Sequence, residues 1–144
     1  MTRSPELERL VRFYETIDAA TLHERLAAVY ATDARFKDPF NEVQGRAAIE
    51  RIFAHMFSQV IAPRFTVVTG VQQERQAFVT WEFHFTMKRF RTQVQCIRGA
   101  SHLVFDSGGA VQMHRDYWDA AEELYEKLPL LGALMKTLKR AAAR

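Results

Sequence analysis

Near Pro63 the apolar pattern of this chain changes its period, and that change constrains the fold more than any single motif. Before it, hydrophobic residues recur at helical spacing. Ser4-Pro5 reads as an N-cap followed by proline at the first helical position. Leu7, Leu10, Val11 and Tyr14 then fall at i, i+3, i+4 and i+7, the stripe of an amphipathic helix. A second helix is expected over residues 21–30, with Leu22, Leu26 and Val29 inward. A short strand follows over 33–38, stopped where Pro39 forces Asp38 into an extended conformation. Gly45 precedes a third helix carrying Ile49, Ile52, Phe53, Met56, Phe57 and Val60, which Pro63 is expected to end.

Beyond Pro63 the period is two. Phe65, Val67 and Thr69 alternate, as do Trp81, Phe83, Phe85 and Met87. A longer strand is expected over 93–105, then a hairpin at Asp106-Ser107-Gly108-Gly109 into a last strand over 110–118. Helices first and an antiparallel meander after them is the α+β pattern, with helices packed on one face of a curled sheet. A helical extension over 119–144, interrupted at Pro129, completes a single domain of 144 residues, large enough for a core without disulfide or metal support.

Composition narrows the function classes. Eleven Phe exceed the need of one packed core at this length, and a cavity or subunit interface would use the surplus. The lone Cys96 excludes an internal disulfide framework and suits a reducing cytosol. No run approaches the roughly 20 apolar residues of a spanning helix, and the N-terminus lacks the apolar stretch of a signal peptide, so a cytoplasmic location is expected. Lys136, Lys139, Arg140 and Arg144 lie in the tail, and without them the net charge of +3 becomes −1. A near-neutral body argues against a nucleic-acid partner.

The motifs are Tyr30-Ala31-Thr32-Asp33-Ala34-Arg35-Phe36-Lys37-Asp38-Pro39-Phe40, then Gln44-Gly45-Arg46 opening a helix, Phe105-Asp106-Ser107-Gly108-Gly109, and Asp116-Tyr117-Trp118. In this order and spacing the chain resembles the nuclear-transport-factor-2-like superfamily, in its ketosteroid isomerase and SnoaL-like branch. The resemblance implies a cone: three N-terminal helices on a strongly curved, mainly antiparallel sheet that encloses a pocket. It also implies Asp38 as a general base and Tyr14 as an oxyanion donor. The position of the second donor, a protonated Asp in the isomerases, is Ser101 here. Serine is a weaker acid, so water elimination or addition stands beside isomerisation. The superfamily also includes plain binding modules.

Strand parity puts Gln112, His114, Asp116 and Trp118 on one face of the last strand. Pattern alone leaves that face open to solvent; the resemblance turns it into the cavity, where His114 and Asp116 would form a supporting acid/base pair. Ser101, Trp118, Phe53, Phe57, Trp81 and Phe83 are the candidate pocket residues. Each assignment has a plainer alternative. Asp38 caps its own turn, Tyr14 is an ordinary core residue, and His114 with Asp116 is a static pair. No His/Cys/carboxylate spacing resembles a metal site and no cofactor motif is present. His55 and His102 read as surface or interface residues, and Cys96 as an inert strand residue.

Two assembly features remain. The parity that turns His114 inward sends Ala100, Val104, Val111 and Met113 to the convex face, an apolar patch that a homodimer would cover. In the tail, Leu130, Leu131, Leu134, Met135 and Leu138 form a stripe flanked by Lys136, Lys139 and Arg140. Such a helix lids the cavity or packs on its own domain; membrane contact is the less favoured alternative. Two functions stand open at this level: a cofactor-independent acid/base enzyme acting on a small hydrophobic molecule, and a non-catalytic module for a lipid-like ligand or partner protein.

Overall fold

The computed structural model describes residues 3–88, 93–123 and 129–143, apart from the side chains of 129–133 and 135. Helix α1 spans Pro5–Glu15 and starts as its sequence directs: the Ser4 hydroxyl accepts from the Leu7 N–H at 3.2 Å, with Pro5 at the first turn. Its inner stripe buries Leu7, Leu10, Val11, Phe13 and Tyr14. Helix α2 (Leu22–Val29) runs directly into strand β1 (Tyr30–Lys37), three residues earlier than expected. A short strand β2 (Glu42–Gln44), not anticipated from sequence, folds back antiparallel on β1. Helix α3 (Arg46–Gln59) follows.

Helix α3 ends at Gln59, and Pro63 is not its terminator. The proline lies inside strand β3 (Val60–Gln73), where the pairing with β4 (Gln76–Met87) is interrupted between Ile61 and Arg64. β3 is an edge strand, so the missing N–H of Pro63 leaves no ladder bond unmade. Strands β5 (Gln95–Phe105) and β6 (Val111–Tyr117) complete one six-stranded sheet in the order β2-β1-β6-β5-β4-β3. All its pairs are antiparallel except β1 with β6. The architecture is thus α+β, with a curled, unclosed sheet covered on its inner face by the three N-terminal helices. Pro129 begins the long tail helix α5 (Pro129–Ala142), after the short α4 (Ala120–Glu123).

The core lies between helices and sheet. Alternate residues of β4 (Ala77, Val79, Trp81, Phe83, Phe85) and β5 (Ile97, Ser101, Leu103, Phe105) are buried there. β6 departs from simple alternation. Phe105 pairs with Val111 and Val104 with Met113, so Gln112 is an extra residue, a β-bulge. The bulge changes parity: Val111 and His114 both point into the core, at 0% and 1% exposure, while Gln112 is exposed. The expected convex patch therefore loses Val111. Ala100, Val104 and Met113 remain on it, half-buried.

The tail stripe is described only in part. Leu134 and Leu138 are half-exposed, whereas the side chains of Leu130, Leu131 and Met135 lie outside the described residues. No helix among the described residues is long and apolar enough to cross a membrane.

The bulge makes neighbouring positions opposite in tolerance. Val111→Asp should cost about 3 kcal/mol or more, because it buries an unpaired carboxylate, and Gln112→Asp about 0.5 kcal/mol or less. Urea denaturation of both variants measures this, and equal costs would contradict the register.

Candidate active site

The inner face of the sheet carries a directional chain of hydrogen bonds that begins at Trp81. Trp81 pairs across the ladder with Gly99, and its indole lies over that glycine. A Cβ at Gly99 would stand 2.5 Å from the indole Cη2, so no other residue fits beneath the ring. The indole N–H thus reaches the Ser101 Oγ at 2.9 Å. Ser101 in turn pairs with Asp116 across β5 and β6 and donates to its Oδ1 at 2.6 Å.

An indole N–H can only donate. Ser101 accepts from it and passes its own proton toward Asp116, which makes Asp116 Oδ1 an acceptor. His114 Nε2 lies 2.5 Å from that same oxygen and must supply the proton in this contact. The tautomer follows: the proton sits on Nε2, and Nδ1 accepts. The Tyr30 hydroxyl stands 2.7 Å from Nδ1, and the Tyr14 hydroxyl 3.0 Å from Nδ1 and 2.8 Å from Nε2.

This network is dry at one end and open at the other. Tyr14, Tyr30, Ser101 and His114 are each 3% exposed or less. Desolvation by burial pushes the Tyr14 phenol well above its ordinary range, with the nearby Tyr30 and Asp116 adding to the effect. Burial raises Tyr30 as well, more than its hydrogen bond with Tyr14 lowers it. Both phenols are therefore held as neutral donors. The Asp116 side chain keeps 17% exposure. Its two hydrogen bonds both fall on Oδ1, and Oδ2 carries none of those described.

Tyr14, Asp38, His114 and Asp116 all line one cavity of about 440 Å³. Its walls include Phe36, Phe53, Phe65, Trp81, Phe83 and Ile97, and Arg51 and His55 of α3 contribute at exposed positions. Trp118 lines it beside Phe40, their ring centroids 5.6 Å apart. Two expected pocket residues lie elsewhere. Ser101 sits behind Asp116 as the relay to Trp81, and Phe57 packs against the core from α3. Among the described residues none beyond Trp118 lines the cavity, and the side chains of Leu130, Leu131 and Met135, which the lid expectation involves, lie outside them.

Asp38 faces the cavity but is committed locally. Its Oδ1 accepts from the backbone N–H groups of Phe40 (2.8 Å) and Asn41 (2.7 Å), and the Asn41 side-chain amide reaches both its oxygens at 3.1 and 3.2 Å. That is the turn-capping geometry of an Asp before proline. Sequence reasoning gave Tyr30 no role, although it opens β1 one residue after α2 and its inward direction follows from the strand's early start. The donor role of Trp81 was equally hidden, because it depends on the glycine opposite.

No curated protein matches the chain at the level of sequence. Solved structures resemble it in fold. A nuclear-transport-factor-2-like protein of unknown function from Burkholderia pseudomallei superposes with a TM-score of 0.72 at 16% identity, covering 83% of this chain and 95% of that one. A candidate SnoaL-like polyketide cyclase from Jannaschia also gives 0.72 at 13% identity, over 85% and 93% of the two chains. A candidate isomerase of the SnoaL-like family from Agrobacterium tumefaciens gives 0.63 at 12% identity, over 79% and 94%. The model of the SnoaL-like domain matches residues 10–113, from within α1 to the middle of β6. The chain belongs to the SnoaL-like domain family.

Proposed function

We propose that the protein is a cofactor-independent acid/base enzyme that moves a proton next to a carbonyl group of a small hydrophobic molecule. The observation that carries this reading is Asp116: one carboxylate oxygen is fixed by Ser101 and His114, the other carries no described hydrogen bond, and the residue lines an apolar cavity. In this reading Oδ2 takes a proton from the carbon beside the carbonyl. The carbonyl oxygen gains negative charge, and the Tyr14 hydroxyl donates to it. Low dielectric strengthens that donation, and a neutral phenol is the form required. His114 positions Asp116 and steadies the charge it carries. Asp38, occupied by its turn, orients the substrate at the cavity wall and is the lesser candidate for the base.

Proton abstraction of this kind begins isomerisation, water elimination and carbon–carbon ring closure alike. The candidate isomerase and candidate cyclase among the fold neighbours are consistent with that common step. A second reading, a non-catalytic pocket for a lipid-like ligand, draws on how fully Tyr14, Tyr30 and His114 satisfy one another. The proposal extends to a cytoplasmic setting and to a homodimer through Ala100, Val104 and Met113, with Phe78 half-exposed on the same outer face.

Exchange of the α-protons of 2-tetralone for deuterium, followed by NMR, separates the readings. Wild-type protein should accelerate exchange, Asp116→Asn should slow it about 100-fold or more, and Asp38→Asn only a few-fold. Binding without accelerated exchange would favour the non-catalytic module. Full activity in Asp116→Asn would end the assignment of the base.

The donor role of Tyr14 has its own test in alkaline titration. Unfolded chains ionise tyrosine near pH ~10, whereas Tyr14 and Tyr30 should stay protonated in the folded state above that value. Their contribution to stability is full below pH ~10 and is lost as the pH rises further. Tyrosinate absorbance should show a component that appears only on unfolding, and Tyr14→Phe should shrink it. Complete ionisation near pH ~10 in the folded protein would contradict the burial argument.

A further inference from the structure

Spacing along the sequence hides what the sheet register brings together on the outer face. His84 on β4 and Cys96 on β5 are direct cross-strand partners, and Glu82 stands two residues along β4 on the same side. One donor atom from each lies within 4.8 Å of the other two. All three residues are half-buried. The Glu82 Oε2 is 3.8 Å from the His84 Nε2. The other ring nitrogen, His84 Nδ1, is the one buried side-chain polar atom without a hydrogen-bond partner among the described residues. A dry, unpaired imidazole nitrogen is costly, and the side chain that carries it stands within a few ångström of a thiol and a carboxylate.

We propose that Glu82, His84 and Cys96 bind a zinc ion on the outer face of the sheet, apart from the cavity on the inner face. Thiolate sulfur, imidazole nitrogen and carboxylate oxygen are the donor types zinc selects, and three protein ligands leave a fourth position for water. Tetrahedral coordination needs ligand atoms roughly 3.3–3.8 Å apart, so the three converge from their present spread by side-chain rotation. Binding forms a zinc–sulfur bond as the Cys96 thiol releases its proton to solvent. Nothing is oxidised or reduced. Arg98 is the cross-strand partner of Glu82, and a cation at that position would draw on the carboxylate, which makes Glu82 the weakest ligand. An ion here would clamp β4 to β5 beside the pairs that hold Trp81 and Phe83.

Titration of chelator-treated full-length protein with cobalt(II) under reducing conditions tests the site. One ion per chain should give a sulfur-to-cobalt charge-transfer band that added zinc bleaches. Cys96→Ser should abolish the band, His84→Gln should weaken cobalt binding at least tenfold, and Glu82→Gln should weaken it less. Zinc should also slow alkylation of Cys96 in the unsubstituted protein, a readout that needs no variant to fold. The proposal fails if no thiolate band forms, if His84→Gln leaves affinity unchanged, or if alkylation is the same with and without zinc. The tetralone exchange is read separately, since none of these residues lines the cavity.

Discussion

The indole N–H of Trp81 gives the whole polar network its direction. A donor that cannot accept commits Ser101 to pass a proton onward, and Ser101 commits one oxygen of Asp116 to accept. That oxygen draws the Nε2 proton of His114, and Nδ1 is left to receive from the Tyr30 hydroxyl. Each buried polar group is satisfied by the next. Remove the first donor and the chain could reverse, with the carboxylate no longer held by two bonds on one oxygen. The preorganisation that acid/base chemistry requires thus begins at a residue whose ring looks like ordinary pocket wall.

Two backbone features place this chain where it is. Gly99 lets the Trp81 ring lie flat across β5 so that its nitrogen reaches Ser101. The bulge at Gln112 lets β6 seal the core with Val111 and still present His114 and Asp116 inward. Helix α1 supplies the remaining part. Its buried stripe carries Phe13 against Tyr30 and Phe53, with ring centroids 5.9 Å apart in both pairs, and this packing sets the position of Tyr14 one residue on. Apolar packing and polar chemistry are therefore the same construction seen from two sides.

How far the sequence foretold this depends on the kind of information involved. The change of period marked helices and sheet well, because amphipathic spacing is local. Tyr14, His114 and Asp116 became site candidates through the family resemblance rather than through pattern, and the fold brings them round one cavity with Asp38. The misjudged positions share a cause: they depend on how strands pair. Val111 was assigned to the wrong face because a bulge shifts parity without a mark in the hydrophobic pattern. Pro63 read as a helix stop, yet it sits at a ladder irregularity on an edge strand. Tyr30 and the Ser101 relay needed cross-strand register to be seen, and so did the meeting of His84 with Cys96.

The proton position on His114 is the most direct measure of the account. Long-range nitrogen–proton correlation NMR on protein labelled with nitrogen-15 distinguishes the two ring nitrogens. With the chain running from Trp81 as described, Nε2 should carry the proton and Nδ1 should show the shift of a bare acceptor. A proton on Nδ1 would contradict that direction, and with it the arrangement that leaves Asp116 Oδ2 free to act.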